Sequence, residues 1–198
     1  MGTIHFENSL QEIDLAFKQA YDGLAANPPC VEMTLPSAHD DSITKPGYHI
    51  CQLFIQYAPY EAHGIAKYNQ KEGMDLDLPN KSNMWSNDSA KDAYKNVVYD
   101  RIEEFAPGFK QSIVHEDVLT PWDLERIFGL TKGNIFHGSL NLNQLLYQRP
   151  TNMHSNYETP IKGLYLCGSG AHPGGGVMGA PGKNCAIKVL QNKSNLNL

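Results

Sequence analysis

Residues 163–186, GLYLCGSGAHPGGGVMGAPGKNCA, carry the chain's densest set of positions able to do chemistry. A short apolar run there enters a loop with seven of the 17 glycines, and His172 stands among them. Glycine has no Cβ, so it reaches φ > 0 and leaves its N–H accessible, and clustered N–H groups cradle phosphates or other electron-rich atoms. A strand, a glycine loop and a helix with its positive N-terminal end can press such donors against a flat polar ring. A flavin is such a ring, and donors at its pyrimidine edge would stabilise the charge that accumulates on reduction. Seven glycines exceed what a tight strand-to-helix turn requires.

Other motif readings of the same residues fail on spacing. Gly174-Gly175-Gly176-Val177-Met178-Gly179 matches the letters of GxGxxG, but that fingerprint starts directly after a strand and has an acid about 20 positions on. Six residues separate Cys167 from Gly174, and the later positions are Ser194-Asn195-Leu196-Asn197-Leu198. Gly182-Lys183 is no phosphate loop, because Asn184 stands where Ser or Thr would hold magnesium. Gly168-Ser169-Gly170 is no nucleophile elbow, because Cys167 and Ala171 occupy the positions where glycines are needed. His39-Asp40-Asp41 and His115-Glu116-Asp117 lack a third group spaced to complete a metal site, so none is expected. His137, in GNIFHG, and His172, in AHPGGG, are the candidate polar groups beside a ring and its substrate, although loop histidines also cap backbone. No protein acid or base is required where a cofactor carries the chemistry. Tyr48, Phe54, Tyr57, Tyr60 and Trp122 are candidates for an apolar substrate slot, or for core.

The elements that must position these residues are legible in part. Ser9 with Glu12 forms a capping-box pattern ahead of Ile13, Phe17, Ala20, Tyr21 and Leu24 at helical spacing, with Gly23 or Asn27-Pro28-Pro29 as the stop. Residues 47–57 read as a strand buried on much of both faces, closed by Pro59. Residues 61–89 read as a polar surface loop with room for a short helix. A second helix is expected from Ser89, capped with Asp92, with an apolar stripe of Tyr94, Val97, Val98, Ile102 and Phe105 and a stop at Pro107-Gly108. Thr120-Pro121-Trp122-Asp123 reads as cap, N1 proline and first-turn acid of a short helix running to Gly129. Residues 164–167 are expected to be a strand, followed by the loop and a helix from about Gly182 toward Gln191. That is half of a βαβ unit, and nothing upstream alternates in the way that would supply parallel neighbours.

Composition narrows the class. With 198 residues, 41% hydrophobic, 19% charged and a net charge of −5, the chain can build a core, and nucleic acid is not expected as its partner. Cys30, Cys51, Cys167 and Cys185 show no CxxC spacing, which favours reduced thiols in an intracellular compartment. No secretory signal, myristoylation pattern or transmembrane run is present, and the sequons at Asn80, Asn87 and Asn192 read as chance matches in a protein not expected to be secreted.

The loop is similar to the C-terminal FAD-binding segment of the phytoene desaturase-like, or carotenoid and retinoid type, FAD-dependent oxidoreductases, nearest to their pyridine nucleotide-disulfide oxidoreductase domain-containing branch. Leu35-Pro36-Ser37, Gln56-Tyr57-Ala58-Pro59-Tyr60, Phe105-Ala106-Pro107-Gly108-Phe109-Lys110, the run from Thr120 to Leu130 (TPWDLERIFGL) and Gly133-Asn134-Ile135-Phe136-His137-Gly138 follow that branch in order. Asn143 differs from an aspartate common in relatives, and Cys185 replaces a usual alanine.

The resemblance implies an α/β fold, α+β in its substrate part: a two-domain FAD/NAD(P)-binding oxidoreductase with an antiparallel substrate-domain sheet. Residues 1–155 would be the later part of the substrate domain and residues 156–198 the strand, glycine loop and helix that return to the flavin. The N-terminal Rossmann-type FAD unit would lie outside this chain. Gly168, Ser169 and Gly170 would lie by the ribityl and phosphate region, and His172, Pro173, Gly174, Gly175, Gly176, Val177, Met178 and Gly179 along the isoalloxazine. The implied function is hydride transfer from a small apolar or alkyl substrate to FAD in the complete protein, with this chain alone inactive and its own hold on FAD in doubt. The alternative is a non-catalytic fragment that pairs with a protein partner or a full-length copy through open apolar surface. Mitochondrial matrix is the implied location, and the cytosol the alternative.

Overall fold

The computed structural model describes residues 2–74 and 83–195. In chain order these form β1 (Ile4–His5), α1 (Leu10–Tyr21), β2 (Leu24–Ala25), β3 (Cys30–Thr34), β4 (Gln52–Gln56), β5 (Gly64–Ile65), α2 (Asp88–Phe105), α3 (Phe109–Ser112), α4 (Pro121–Phe128) and α5 (Ala180–Asn195). Two compact units divide at Met1–Leu124 and Glu125–Leu198. Helix and strand are mixed, as an α/β or α+β chain requires.

In the first unit an antiparallel sheet runs in the order β1-β3-β4, with Val31 opposite Ile55 and Met33 opposite Leu53. A short parallel pair, β2 with β5, sits apart. Buried Phe6, Val31, Met33, Ile65, Trp85, Tyr94, Val98 and Ile102 form one core. The central strand β3 drew no expectation from the sequence. It lies between Pro28-Pro29 and Pro36 and is too short to show clear alternation, yet Val31 and Met33 bury one face of it.

Half of the capping box of α1 forms, with Ser9 Oγ accepting from Glu12 N at 3.2 Å, while the Glu12 carboxyl accepts from Asn8 N at 2.9 Å, and Gly23 follows the helix end at φ 79°. The apolar stripe of α1 meets the core only in part: Ile13 packs against the buried Ala16, Ala26 and Cys30, and Leu24 is buried beyond the helix end. Phe17 and Tyr21 are exposed, whereas Ala16 and Gln19 are buried. Gln19 spans to the Asn27 backbone, donating to its carbonyl at 3.1 Å and accepting from its N–H at 2.9 Å, so a polar bridge fixes the helix rotation.

Three further expectations are corrected. The strand read over residues 47–57 narrows to β4, and it is not buried on both faces: it pairs with β3 on one side, and Phe54 is 45% exposed. Within residues 61–89, Ala62, Ile65, Ala66, Met84 and Trp85 are core rather than surface, because β5 pairs with β2 and Trp85 Nε1 donates to the Pro59 carbonyl at 2.7 Å. Residues 75–82 of that stretch lie outside the described residues. The cap of α2 is Asn87, whose side chain accepts from Ala90 N at 3.1 Å, and not Ser89. Tyr94, Val98 and Ile102 do form its buried face, although Phe105 is half-exposed.

Where the chain passes from the first unit to the second, α4 begins as its motif demands. Thr120 and Asp123 cap each other: Thr120 N and Oγ1 donate to Asp123 Oδ2 at 3.1 and 2.6 Å, and Asp123 N donates to Thr120 Oγ1 at 3.3 Å. Gly129, at φ 69°, follows the helix.

In the second unit, residues 164–167 do not form a strand. Tyr165 makes one isolated antiparallel bridge to Glu158, and Leu164 and Leu166 stay exposed. A strand persists as part of a ladder, and the described residues of this unit supply one bridging partner. The final helix starts at Ala180, two residues ahead of the expected Gly182.

Candidate functional site

The glycine loop is anchored at both ends and open in the middle. Ala171 N donates to Gly168 O at 2.9 Å and Gly174 N to Ala171 O at 2.8 Å, two successive turns that carry the chain from residue 168 to 174. At the far end Lys183 N donates to Gly179 O at 3.1 Å, which seats the first turn of α5. Gly174, Gly176 and Gly179 have φ of 109°, 140° and 68°, and side-chain-bearing residues avoid such backbone. Gly176 is the tightest: a Cβ there would stand 2.8 Å from Met178 Cε.

Between those anchors lies a run of free donors. Among the described residues, no protein acceptor takes the N–H groups of Gly175, Gly176, Val177 or Met178. A Cβ added at Gly168, Gly170 or Gly179 would meet open space. His172 is half-buried, and its Nδ1 is fully enclosed without a partner. A buried polar atom left unpaired is unfavourable by about 1–3 kcal/mol, so a ligand group that pairs with it gains that much. Clustered backbone donors and one orphaned ring nitrogen fit a flat, electron-rich ligand such as a flavin, held by main chain more than by side chains.

A polar seam holds α5 in place behind the loop. Asn184, Lys188 and Asn192, spaced by four and so on one helix face, reach Tyr157 Oη at 3.0 Å, Glu158 at 3.4 Å and Tyr165 Oη at 2.9 Å. The Asn192 amide and then the Lys188 ammonium hold the Glu158 carboxyl below its usual range. Cys185 is buried against Tyr157 and Ala171, and that burial pushes its thiol up, with Cys167 adding to the effect. The departure at Cys185 is therefore accommodated as core.

Arg149 is the residue that sequence reasoning missed. It is 1% exposed and donates from Nη1 to Ser139 O at 3.0 Å, and from Nη2 to Phe136 O at 2.7 Å and His137 O at 3.0 Å. Those bonds tie down the segment that carries His137, whose own φ is 54° and whose side chain is exposed. Arg149 Nε would lie 3.7 Å from a Cβ placed on Gly174. The structure thus brings the segment of His137 and the glycine loop to one buried arginine. The available signal was the lone arginine in the apolar-flanked Leu145-Leu146-Tyr147-Gln148-Arg149-Pro150.

The aromatic residues proposed for a slot do not converge. Tyr60 stacks on Trp122 with centroids 6.1 Å apart, whereas Tyr57 packs edge-on to Phe17 at 5.6 Å, and Tyr48 and Phe54 are exposed. A cavity of about 600 Å³ lies elsewhere in the first unit, beside Leu24, His63, Lys67 and Met74.

No family model matches the chain. Several of the curated proteins that do match are named for oxidation–reduction chemistry. Over 181 residues the chain is 46% identical to pyridine nucleotide-disulfide oxidoreductase domain-containing protein 2 of Mus musculus, which covers 91% of this chain and 28% of that relative, in its C-terminal part. It is 26% identical over 174 residues to 4,4'-diapophytoene desaturase of Staphylococcus aureus, covering 87% of this chain and 29% of the relative. It is 33% identical over 101 residues to one component of the limonene dehydrogenase of Castellaniella defragrans, covering 50% of this chain and 18% of the relative. The resemblance read from the loop and the upstream runs is thereby shown, and the chain spans less than a third of the length of these relatives.

Proposed function

We propose that this chain forms the C-terminal portion of an FAD-dependent oxidoreductase that moves hydride from an apolar or alkyl substrate to flavin. In this reading residues 1–155 belong to a substrate domain and residues 156–198 return to the cofactor. The observation that carries it is the run of unpartnered N–H groups from Gly175 to Met178 ahead of α5. The similarity to an oxidoreductase, a desaturase and a dehydrogenase supports it.

Two-electron acceptance is the chemistry that a flavin supplies when bound. The protein's part is to hold and orient it. Gly174, Gly175, Gly176 and Gly179 bring backbone donors close without side-chain obstruction, and the N-terminal end of α5 adds a favourable dipole for negative charge. His172 Nδ1 and Arg149 Nε are enclosed side-chain atoms here without a partner among the described residues, and His137 is held next to the same scaffold through its carbonyl. Exposed Val177 and Met178 would cover the ring and exclude water. Catalysis belongs to the longer protein, and location in the mitochondrial matrix is part of the proposal.

The test is a visible spectrum of the chain titrated with FAD, followed by anaerobic addition of an alkyl or polyene substrate. A perturbed flavin band without bleaching is expected. No spectral change at saturating FAD refutes the reading that the glycine loop holds the flavin ring without the rest of the cofactor site, and substrate-linked bleaching refutes the assignment of catalysis to the longer protein.

A second reading, a non-catalytic partner-binding fragment, is favoured by one observation: Leu10 and Tyr21 on α1 are 80% and 84% exposed, with Phe17 beside them. Size-exclusion chromatography with light scattering separates the two, since a strictly monomeric chain removes self-association as its basis.

A further inference from the structure

We infer that Arg149 sets the charge preference of the glycine loop: its buried guanidinium makes the loop favour the reduced, anionic form of a flavin over the oxidised, neutral one. The inference rests on the flavin reading above and deepens it by naming the residue that tunes the site.

The 3₁₀ turns Leu142–Gln144 and Leu146–Gln148 fold the chain back and bury Arg149. Burying a charge is unfavourable unless it is paired, and an arginine offers five donors. Three of its contacts are to neutral carbonyls, at Phe136, His137 and Ser139, which satisfy protons without cancelling charge. Among the described residues Arg149 makes no ion pair, and its Nε is enclosed without an acceptor.

The position of that uncompensated charge is informative. Arg149 Nε and Cδ lie 3.7 and 3.8 Å from where a Cβ on Gly174 would stand, so the guanidinium lies against the backbone of the loop at a residue with no side chain to shield it. Immediately after Gly174 come the four N–H groups without acceptors. Cation and donors have the same sign and act on the same segment. A neutral ligand satisfies the donors alone, while an anionic one also compensates the arginine. In a water-poor setting the second interaction is stronger than it would be in bulk solvent.

The experiment measures the affinity of this 198-residue chain for FAD and for dithionite-reduced FAD, anaerobically and at mildly alkaline pH, by equilibrium dialysis. Wild type, Arg149→Lys and Arg149→Met are compared. Wild type is expected to bind the reduced form at least about tenfold more tightly, equivalent to raising the two-electron potential of the bound flavin by about 30 mV. Arg149→Lys should keep most of that ratio, and Arg149→Met should bring it to near one. Equal affinities in wild type, or a ratio that survives in Arg149→Met, overturns the inference. A Met variant that weakens both forms equally while keeping the ratio shows a purely architectural arginine and overturns it as well. If Arg149→Met does not fold, the wild-type ratio and the Lys variant decide. Failure of wild type to bind either form refutes the reading of this loop as able to hold a flavin by itself, a result distinct from equal binding of both.

Discussion

Asp123→Ala removes several interactions of the TPWD run, whose acid beside a lysine has the composition of a catalytic pair but the geometry of a scaffold. Asp123 Oδ2 accepts from Thr120 N and Oγ1, and Oδ1 lies 3.2 Å from Lys91 Nζ on α2. Loss of the cap is worth about 1 kcal/mol. Breaking a fully buried pair would add about 3–5 kcal/mol, but the Lys91 side chain is 18% exposed and keeps Asp88 at 3.9 Å, so the added penalty is smaller. The expected total is about 2–3 kcal/mol, or a Tm lower by roughly 4–12 °C for a chain of this size. Urea unfolding followed by tryptophan fluorescence reads it directly, because both tryptophans, Trp85 and Trp122, lie in the first unit. A loss below about 0.5 kcal/mol, the range of ordinary surface substitutions, would refute the reasoning. The pH dependence adds an independent arm. Burial raises the Asp123 carboxyl, but the Thr120 hydroxyl and N–H and the Lys91 ammonium outweigh it and leave the group below its usual value. Its stabilisation is therefore complete above the unfolded aspartate value near 4 and is lost as pH falls through the lower folded value. Asp123→Asn should flatten that part of the acid profile. Parallel profiles for the two proteins would contradict the assignment.

Gly174→Ala puts a Cβ on backbone at φ 109° and should destabilise the loop by roughly 1–3 kcal/mol, visible as faster amide exchange over residues 168–182; unchanged exchange would count against the strained turn. Arg101→Met leaves Glu12 without its 2.7 Å partner and removes a cation–π contact 5.1 Å from the Phe105 ring, with an expected loss of about 3 kcal/mol by the same fluorescence assay. Cys167 and Cys51 are exposed, whereas Cys185 is buried and burial pushes buried Cys30 to about 11. A thiol reagent near neutral pH should therefore leave Cys30 and Cys185 protected until urea unfolds the chain, as mass spectrometry of the labelled peptides would show.

Legibility followed the range of the interaction. Ser9 with Glu12 and Thr120 with Asp123 are readable as caps because each bond closes within three residues. The cap of α2 lies two positions ahead of the expected one, since Asn87, Asp88 and Ser89 are all competent and the preceding 3₁₀ turn, Met84–Ser86, decides which one stands outside the helix. The stripe on α1 misleads at Phe17 and Tyr21, though not at Ile13 and Leu24, for another reason: apolar spacing specifies that a helix can bury a face, while the bridge from Gln19 to Asn27 sets the rotation that decides which of its residues are buried.

From the amino-acid sequence alone came the glycine loop, its likeness to a flavin-binding segment and the ordered runs that tie the chain to its relatives, because each is a property of residue type and short spacing. Tertiary structure decided the rest. It made Cys30–Thr34 the central strand by pairing it with residues about 20–30 positions away on both sides, and it turned the polar stretch around Ile65 into core. It also placed Arg149 beneath Gly174, 25 residues further along the chain. Burial and charge compensation depend on which distant segments meet, and no local pattern encodes that meeting.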